Sequence, residues 1–276
     1  MVQNQDNNVV QQNERAPWWH VKELTELSLD ARELFENYSK VPSDNVLTHI
    51  TEARNKAFKV FPYPCLGRFA FLALSVRQTP RYDEILNRIK NGDKYLDLGC
   101  CVGQDIRKLV YDGAPSENTY GVDLMNDFME IGYDLFLDKA TLKTTFMAAD
   151  VFEKDSELNR LDGEIDIVHA ASFFHLFGWE GQLQAAKRMV SLVKPKPGSL
   201  IVGRHIGNIN PGEEASKFMH DADSFALLWK QVGEETATSW EVDARLGDKD
   251  LAEKTGSGAN SVPEDTRWLS YTVRRL

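Results

Sequence analysis

An α/β fold, in which helices cover both faces of a parallel sheet, is predicted for this chain of 276 residues. From residue 95 onward, short apolar segments alternate with segments of helical periodicity, which is the pattern of parallel strands joined by helical crossovers. A turn with the sequence GCCVG directly follows the first of these strands. The residues before this point have helical periodicity and contain no convincing strand.

The predicted strands are short apolar segments, most of which lead into a helix or a loop. Five of them are expected at residues 95–98, 120–123, 145–148, 165–170 and 199–203. A further helix and two late strands are expected at residues 218–232, 240–244 and 268–274. Residues 246–261 are rich in Gly, Asp and Ser and are interpreted as a mobile loop.

We expect the chain to have three parts. They are a polar, disordered tail, a helical cap or substrate lid, and a core that holds the sheet, at residues 1–15, 16–91 and 92–276. Within the cap, apolar residues recur at three- and four-residue steps, which predicts helices at residues 21–38, 46–58, 66–76 and 83–90. Trp18 and Trp19 could close over an apolar substrate or pack the first helix against the core.

The composition restricts the classes of partner. The chain has 42 acidic and 32 basic residues, a formal net charge of −10, and an acidic surface disfavours nucleic acid and anionic membranes as partners. The three cysteines have no metal-site spacing, and neither a signal peptide nor a long apolar run is present. We therefore expect a cytoplasmic protein with a small-molecule substrate and no metal, and a homodimer is compatible with this sequence.

The turn after the first strand distinguishes between two nucleoside cofactors. A dinucleotide fingerprint places glycine at the first, third and sixth positions of G-x-G-x-x-G, because the pyrophosphate needs bare backbone. This turn has Gly99 at the first position but Cys101 at the third and Gln104 at the sixth. The turn therefore disfavours NAD, although Asp123 lies 20 residues beyond Gly103, the interval expected for an acid that binds ribose.

Three acidic residues lie at the carboxyl ends of successive predicted strands. Asp97 precedes Gly99 by two residues, Asp123 ends the second strand, and Asp150 follows the third. A cationic cofactor without phosphate, such as S-adenosylmethionine (SAM), gains from carboxylates at this edge of the sheet. We expect Asp97 to interact with the cationic part of SAM, Asp123 with the ribose hydroxyls and Asp150 with the adenine amino group.

Four segments resemble motifs of class I SAM-dependent methyltransferases: YLDLGCCVG at residues 95–103, residues 121–124, residues 149–152, and VKPKPGSLIVG. The first of these, with its continuation to YGVDL, and FPYPCLGRF in the cap are most similar to fungal secondary-metabolite O-methyltransferases. That group includes carboxyl O-methyltransferases of meroterpenoid pathways. The resemblance covers most of residues 15–276.

This resemblance implies a Rossmann-like core with a seven-stranded sheet, in which one strand is antiparallel, behind an N-terminal helical cap. It places the cofactor contacts on Asp97, Gly99, Gly103, Asp123, Leu124, Asp150 and Val151. Cys101 departs from the GxGxG turn of the family, and its side chain could narrow the pocket for the methionine part of SAM.

A phenolic acceptor, with an ordinary pKa of about 10, would need a general base. The candidates are His175, in the loop after the fourth strand, and His205, just after the fifth. The ordinary alternative for His175 is a hydrogen bond to a backbone group beside the loop. Phe174 in that loop is a candidate substrate contact, and His169, within the fourth strand, is interpreted as a core residue.

A carboxylate acceptor, with an ordinary pKa of about 4, is already ionised and needs a cationic anchor rather than a base. Residues 49–68 combine several cations with aromatic side chains. Arg54 and Arg68 are the candidate anchors, and Tyr63 is a further candidate substrate contact. The alternative is that these cations form a solvated helix face.

We therefore expect a SAM-dependent O-methyltransferase acting on a bulky, apolar natural-product intermediate of terpenoid or polyketide type. Methyl esterification of a carboxylate is favoured. Methylation of a phenol or hydroxyl group, with His175 or His205 as base, is the alternative among enzymes. The alternative outside enzymes is a non-catalytic partner protein with the same fold, suggested by Cys101 in the glycine turn.

Overall fold

The computed structural model describes residues 20–248, residue 251 and residues 265–276. The predicted tail, Trp18, Trp19 and most of the predicted loop at residues 246–261 lie outside these residues. No helix in the described part of the chain is long and apolar enough to cross a membrane.

The strands confirm the predicted fold class. They are β1 (Tyr95–Leu98), β2 (Thr119–Asp123), β3 (Thr145–Ala148), β4 (Ile167–His169), β5 (Leu200–Asn208), β6 (Gly212–Glu214), β7 (Lys217–Met219), β8 (Trp240–Leu246) and β9 (Thr266–Arg275). Seven of them form one sheet in the order β3-β2-β1-β4-β5-β9-β8. The first five strands are parallel, and β9 is antiparallel to both of its neighbours. The strand order reverses beside β1, where ligands bind in open α/β sheets.

The helices lie before the sheet and between its strands. They are α1 (Leu29–Glu33), α2 (Val46–Val60), α3 (Pro64–Gly67), α4 (Tyr82–Lys90), α5 (Gln104–Tyr111), α6 (Asn126–Phe136), α7 (Trp179–Leu192) and α8 (Ala222–Thr236). A π-helical turn follows α1 at Leu34–Tyr38, and two 3-10 turns precede α4 at Ala70–Ala73 and Ser75–Gln78.

Successive side chains of the central strands enter two different cores. On one face, Leu96 lies in a core with Met189 of α7 and Trp229 of α8. On the other face, Tyr95 lies in a core with Ile89 of α4 and Ile106 of α5. The sheet is thus buried on both faces, as parallel strands require.

A third core joins the cap to the rest of the protein. It contains Ile50 of α2, Val102 of the glycine turn and Phe128 of α6. The rings of Phe35 and Phe136 stack within it, with centroids 5.2 Å apart. The cap therefore packs directly on the turn that follows β1.

The prediction of a helix at residues 21–38 was wrong for its first part. α1 begins only at Leu29, where the Ser28 side chain caps it. The preceding residues are not helical, and the Val21 N–H donates a hydrogen bond to the Gly67 carbonyl oxygen at 2.9 Å. This backbone N–H thus bonds to a residue that is distant in sequence rather than to a carbonyl oxygen of its own helix. The periodicity of the sequence does not reveal such a partner.

The predicted helix at residues 66–76 is broken into short turns. Phe69 and Leu74 have φ values of 57° and 50°, a left-handed conformation that costs about 1–2 kcal/mol per residue. The second break leaves the Val76 N–H free to donate a hydrogen bond to Asp105 Oδ1 at 2.9 Å. The end of the cap is thereby attached to α5.

The region from β5 to the start of α8 also differs from the prediction. β5 continues to Asn208, beyond the predicted end at residue 203, because β9 pairs with it along its whole length. The hairpin of β6 and β7 was not predicted. Its second strand, β7, includes the first residues of the helix that was expected at 218–232. The helix α8 therefore starts only after Asp221, which forms a capping box with Ser224.

A buried ion pair connects the cap, the turn and α5. Arg107 donates from Nε and Nη2 to the two oxygens of Asp138, at 2.9 and 3.0 Å. Its Nη1 donates to the Val102 carbonyl oxygen at 2.9 Å. The Tyr38 hydroxyl donates to Asp138 Oδ2 at 2.7 Å. One carboxylate therefore binds both the arginine that supports the turn and a side chain of the cap.

Asp138→Ala is expected to destabilise the protein strongly, because it leaves the Arg107 charge buried without its partner. Breaking a buried pair in this way costs about 3–5 kcal/mol, which urea denaturation can measure. Glu130→Ala, which removes the exposed pair with Lys139, is the matched control and should leave stability near that of the wild type. Equal stability of the two variants would contradict the role of the pair.

Candidate functional site

The turn after β1 is the centre of the candidate site. Gly99 and Gly103 have φ values of 77° and 67°, which glycine tolerates, and Cys101 is held at 51°. The Gly99 N–H donates to the Val122 carbonyl oxygen at 2.8 Å, which attaches the turn to β2. A Cβ atom at Gly99 would lie 3.2 Å from the Phe173 ring, so the backbone here lies close to the loop after β4.

Two predicted cofactor carboxylates lie at the ends of β2 and β3. Asp123 accepts the N–H groups of Cys101 at 2.8 Å and of Met125 at 3.1 Å. Burial raises the pKa of Asp123, and these two hydrogen bonds oppose that shift. Asp150 is exposed and accepts the Phe152 N–H at 2.9 Å.

The third predicted carboxylate, Asp97, belongs to a buried triad. Asp97 on β1 is paired with His169 on β4, and His169 Nδ1 lies 2.9 Å from Asp97 Oδ1. Asp105 at the start of α5 completes the group, and the potential ligand atoms of the three side chains lie within 4.8 Å of one another. A metal ion could be held at such a spacing, but the hydrogen bond between His169 and Asp97 already occupies the facing atoms. We therefore describe the group as a hydrogen-bonded triad.

Four buried polar atoms at this triad have no hydrogen-bond partner among the described residues: Asp97 Oδ2, His169 Nε2, Gln104 Oε1 and Arg204 Nε. Gln104 belongs to the group because its Nε2 donates to Asp105 Oδ2 at 3.2 Å. Arg204 belongs to it because its charge acts on both Asp105 and His169. Proteins satisfy most buried polar atoms, so a ligand with donors and acceptors is indicated. The ammonium and carboxylate groups of an amino acid provide both.

Two family models match the chain. Residues 18–72 match the meroterpenoid methyltransferase N-terminal domain, and residues 96–196 match a methyltransferase domain. The O-methyltransferase phiE of a fungal species is 46% identical, over 93% of this chain and 92% of that protein. This chain belongs to the family of fungal secondary-metabolite SAM-dependent methyltransferases. The predicted family, enzyme class and cofactor are confirmed.

Two further proteins are similar to this chain. The asnovolin E/chermesin D methyltransferase nvfJ of Aspergillus novofumigatus is 45% identical, over 80% of this chain and 82% of that protein. The solved structure of phosphoethanolamine N-methyltransferase 2 from Haemonchus contortus with SAM has a TM-score of 0.52 at 12% identity, and the match covers 90% of this chain and 60% of that one. This last likeness shows the fold alone.

The residues of the site fit the cofactor of this methyltransferase family. When bound, SAM supplies a methyl group on a positively charged sulfur. We propose that Asp97 holds the ammonium group of its methionine part and that Asp123 holds the ribose. Asp150 would hold the adenine, beside the half-buried Val151 and the side chain of Leu124, which is 61% exposed. Exposed apolar surface of this kind suits an aromatic base.

Both candidate bases are held in the neutral form. His205 is fully buried, with the Phe174 and Phe225 rings at 5.7 and 5.3 Å, and neither of its ring nitrogens has a partner among the described residues. Burial lowers the pKa of His205 well below its ordinary value. Burial, and then the charge of Lys217, lower the pKa of His175 to about 4. Both rings are therefore neutral at pH 7.

Two candidate substrate contacts, Arg54 and Phe174, are buried in the interior of the protein. Arg54 is 1% exposed, and its terminal nitrogens donate to the carbonyl oxygens of Gly67 and Lys22, each at 3.0 Å. Its guanidinium group also lies 3.9 Å from the centroid of the Phe69 ring. Arg54 therefore holds the cap segments together. Phe174 is fully buried in the core, whereas its neighbour Phe173 lies beside Gly99.

Some residues of the site were not singled out from the sequence. Arg204 lies just beyond the predicted end of the fifth strand, and only the pairing of β5 with β9 places it inside the sheet. Asp105 could not be found either, since an acid in the first turn of a helix is typical of an exposed position. His169 was interpreted as an ordinary core histidine, and its bond to Asp97 depends on the pairing of β1 with β4.

Stability in acid tests the buried, neutral state of His205. Such a histidine takes up a proton on unfolding below about pH 6.5, so the stability that is present at higher pH is lost as the pH falls. His205→Phe keeps an aromatic ring and removes the titration. As the pH falls from 6.5 to 5, the unfolding free energy of the wild type should decrease by about 1 kcal/mol per pH unit more than that of the variant. Urea denaturation of both proteins measures this difference. The same pH dependence in both proteins would contradict the assignment.

Proposed function

We propose that this methyltransferase methylates an oxygen of a bulky, apolar natural-product intermediate of terpenoid or polyketide type, and that the preferred oxygen belongs to a carboxylate. The observation that carries this proposal is the packing of the aromatic cap segment FPYPC against the cofactor turn. The neutral state of the candidate bases His175 and His205 supports the choice of acceptor.

The cap segment supplies an apolar surface beside the cofactor residues. Tyr63 and Cys101 both pack against the core that the cap shares with the turn. The Tyr63 ring lies 4.4 Å from that of Phe61, which is 41% exposed. Burial, and then the charge of Asp123, raise the pKa of Tyr63 to about 12, so its hydroxyl is neutral. An exposed aromatic surface next to a cofactor suits a large apolar substrate.

A carboxylate acceptor agrees with the protonation state of His175. A base whose pKa is about 4 is poorly matched to a phenol with an ordinary pKa of about 10. A carboxylate needs no base, because it is ionised at neutral pH. The enzyme then has to hold the acceptor in line with the methyl group and to exclude water.

Arg68 is the cation that we propose as the anchor of this carboxylate. It directly follows α3 and is half-buried, and burial lowers the pKa of its guanidinium group. An arginine nevertheless stays charged at pH 7 and can bind a carboxylate through two parallel hydrogen bonds. Arg54 donates to backbone carbonyls instead, so the proposal does not depend on it.

The names of the relatives support the proposed class of substrate. The N-terminal family model is that of meroterpenoid methyltransferases, and one relative is named for asnovolin E and chermesin D. The match of residues 18–72 to that model includes the aromatic cap segment. We therefore propose that the cap of this enzyme also binds a meroterpenoid-like skeleton.

Product analysis tests the acceptor. The enzyme is incubated with SAM and a pair of substrates of one skeleton, a carboxylic acid and its phenolic analogue. We expect a methyl ester, which mild alkali cleaves with release of methanol, whereas a methyl ether survives. Formation of the ether alone would contradict the proposal. In that case His175→Ala should lower kcat by about 10²–10⁴, the usual contribution of a general base.

Kinetics of Arg68→Ala test the anchor separately. We expect the KM for the acid to rise about tenfold or more, because a hydrogen bond to a charged group contributes about 1.5–3 kcal/mol. Lys59→Ala, which removes an exposed cation of α2, is the control and should keep the wild-type KM. An unchanged KM for Arg68→Ala would overturn the role of Arg68 without affecting the choice of acceptor.

A further inference from the structure

The buried triad contains more than a cofactor carboxylate. Because a carboxylate can only accept, His169 Nδ1 donates to Asp97 Oδ1 at 2.9 Å. Asp105 is held by the Val76 N–H at 2.9 Å and by Gln104 Nε2 at 3.2 Å. Asp97 Oδ2 and His169 Nε2 have no partner in the described part of the chain. The imidazole thus belongs to a group with two carboxylates, one of which keeps an unpaired oxygen.

Asp97 is fixed in its orientation by His169. It is 2% exposed, and a buried polar atom normally has a hydrogen-bond partner. The hydrogen bond from His169 Nδ1 occupies Asp97 Oδ1 and fixes the rotation of the carboxylate, as outer residues do for the ligands of other sites. Oδ2 is thereby the oxygen that can accept from a ligand.

We propose that His169 and Asp105 support Asp97 as positioning residues for SAM. His169 orients the Asp97 carboxylate so that its Oδ2 is available to the ammonium group of the cofactor. Asp105 places a second carboxylate within 4.8 Å of both side chains. This role concerns the cofactor and is independent of which oxygen is methylated.

The charge of the triad changes with pH in a direction that can be stated. Burial alone would lower the pKa of His169, but Asp97 and then Asp105 outweigh burial and raise it. Burial raises the pKa of Asp105 to about 6. Near pH 7 Asp105 is therefore ionised, and its protonation at lower pH removes one negative charge from the triad. Because SAM has a net positive charge, its affinity should fall with the pH.

Other groups near the triad do not explain the same effect. The titratable or charged groups around it include Tyr82 on α4, Tyr95 on β1, Cys100 and Cys101 in the turn, Asp123 on β2 and Arg204 on β5. Burial raises the pKa of both tyrosines and of both cysteines, so they stay neutral, and Arg204 stays charged. Asp123 also has a raised pKa, and a variant of Asp105 separates the two acids.

Calorimetric titration with SAM, without an acceptor, tests the proposal between pH 5 and pH 7.5. The wild-type Kd is expected to rise by up to about tenfold per pH unit as Asp105 takes up its proton. Asp105→Asn keeps an oxygen for the Val76 N–H and should lose this pH dependence. His169→Leu should raise the Kd at pH 7.5 about tenfold or more, and His169→Asn, which retains an N–H donor, should recover part of that loss.

A matched control and a spectroscopic measurement complete the test. His220→Asn changes a buried histidine that bonds Ser224 and Gln182, and it should keep the wild-type Kd. Nitrogen NMR of His169 in the free protein at pH 7 should show a proton on Nδ1, the nitrogen that faces Asp97. If His169→Leu fails to fold, Asp105→Asn and the NMR signal decide. A His169 ring without a proton on Nδ1, an unchanged pH dependence in Asp105→Asn, or a metal ion that copurifies with the wild type but not with the triad variants would overturn the proposal.

Discussion

The buried ion pair between Arg107 and Asp138 is the interaction on which the cofactor turn depends. Removing two charges from water costs several kcal/mol per ion, and the cost is recovered only when the remaining hydrogen bonds are made. Here Arg107 also binds the Val102 carbonyl oxygen and lies over the Phe136 and Phe146 rings, 4.9 and 5.2 Å from their centroids. The guanidinium group therefore supports the turn from the side of α5.

Two glycines are required by this arrangement. A Cβ atom at Gly103 would lie 2.5 Å from Arg107 Nη1, and one at Gly132 of α6 would lie 2.4 Å from the Val102 carbonyl oxygen. The turn is thus closely surrounded by α5 and α6. Because Tyr38 of the cap binds Asp138 of the same pair, the cap and the turn after β1 share one network. Under the proposed function, this shared support would hold a substrate that contacts the cap in position relative to the methyl donor.

Much of this arrangement could be predicted from the sequence, because local patterns determine it. The apolar strands predicted the sheet, and Asp97 and Asp123 were found by their distance from the glycine turn. Residues whose partners are distant in sequence were not predictable. Arg54 was expected to bind substrate, but its donors reach the carbonyl oxygens of Lys22 and Gly67. The π-helical turn was not predictable either, because Phe35 in this turn packs against Phe136 of α6, which is distant in sequence.

Amide hydrogen exchange, measured with and without SAM, tests most directly whether the cap and the cofactor turn form one unit. Exchange reports the free energy of local opening, so it detects stabilisation that spreads from a ligand site. We expect slower exchange on SAM binding at residues 99–105 and also around Tyr38 and Tyr63 in the cap. Protection confined to the turn and the strand ends, with no change in the cap, would contradict this expectation.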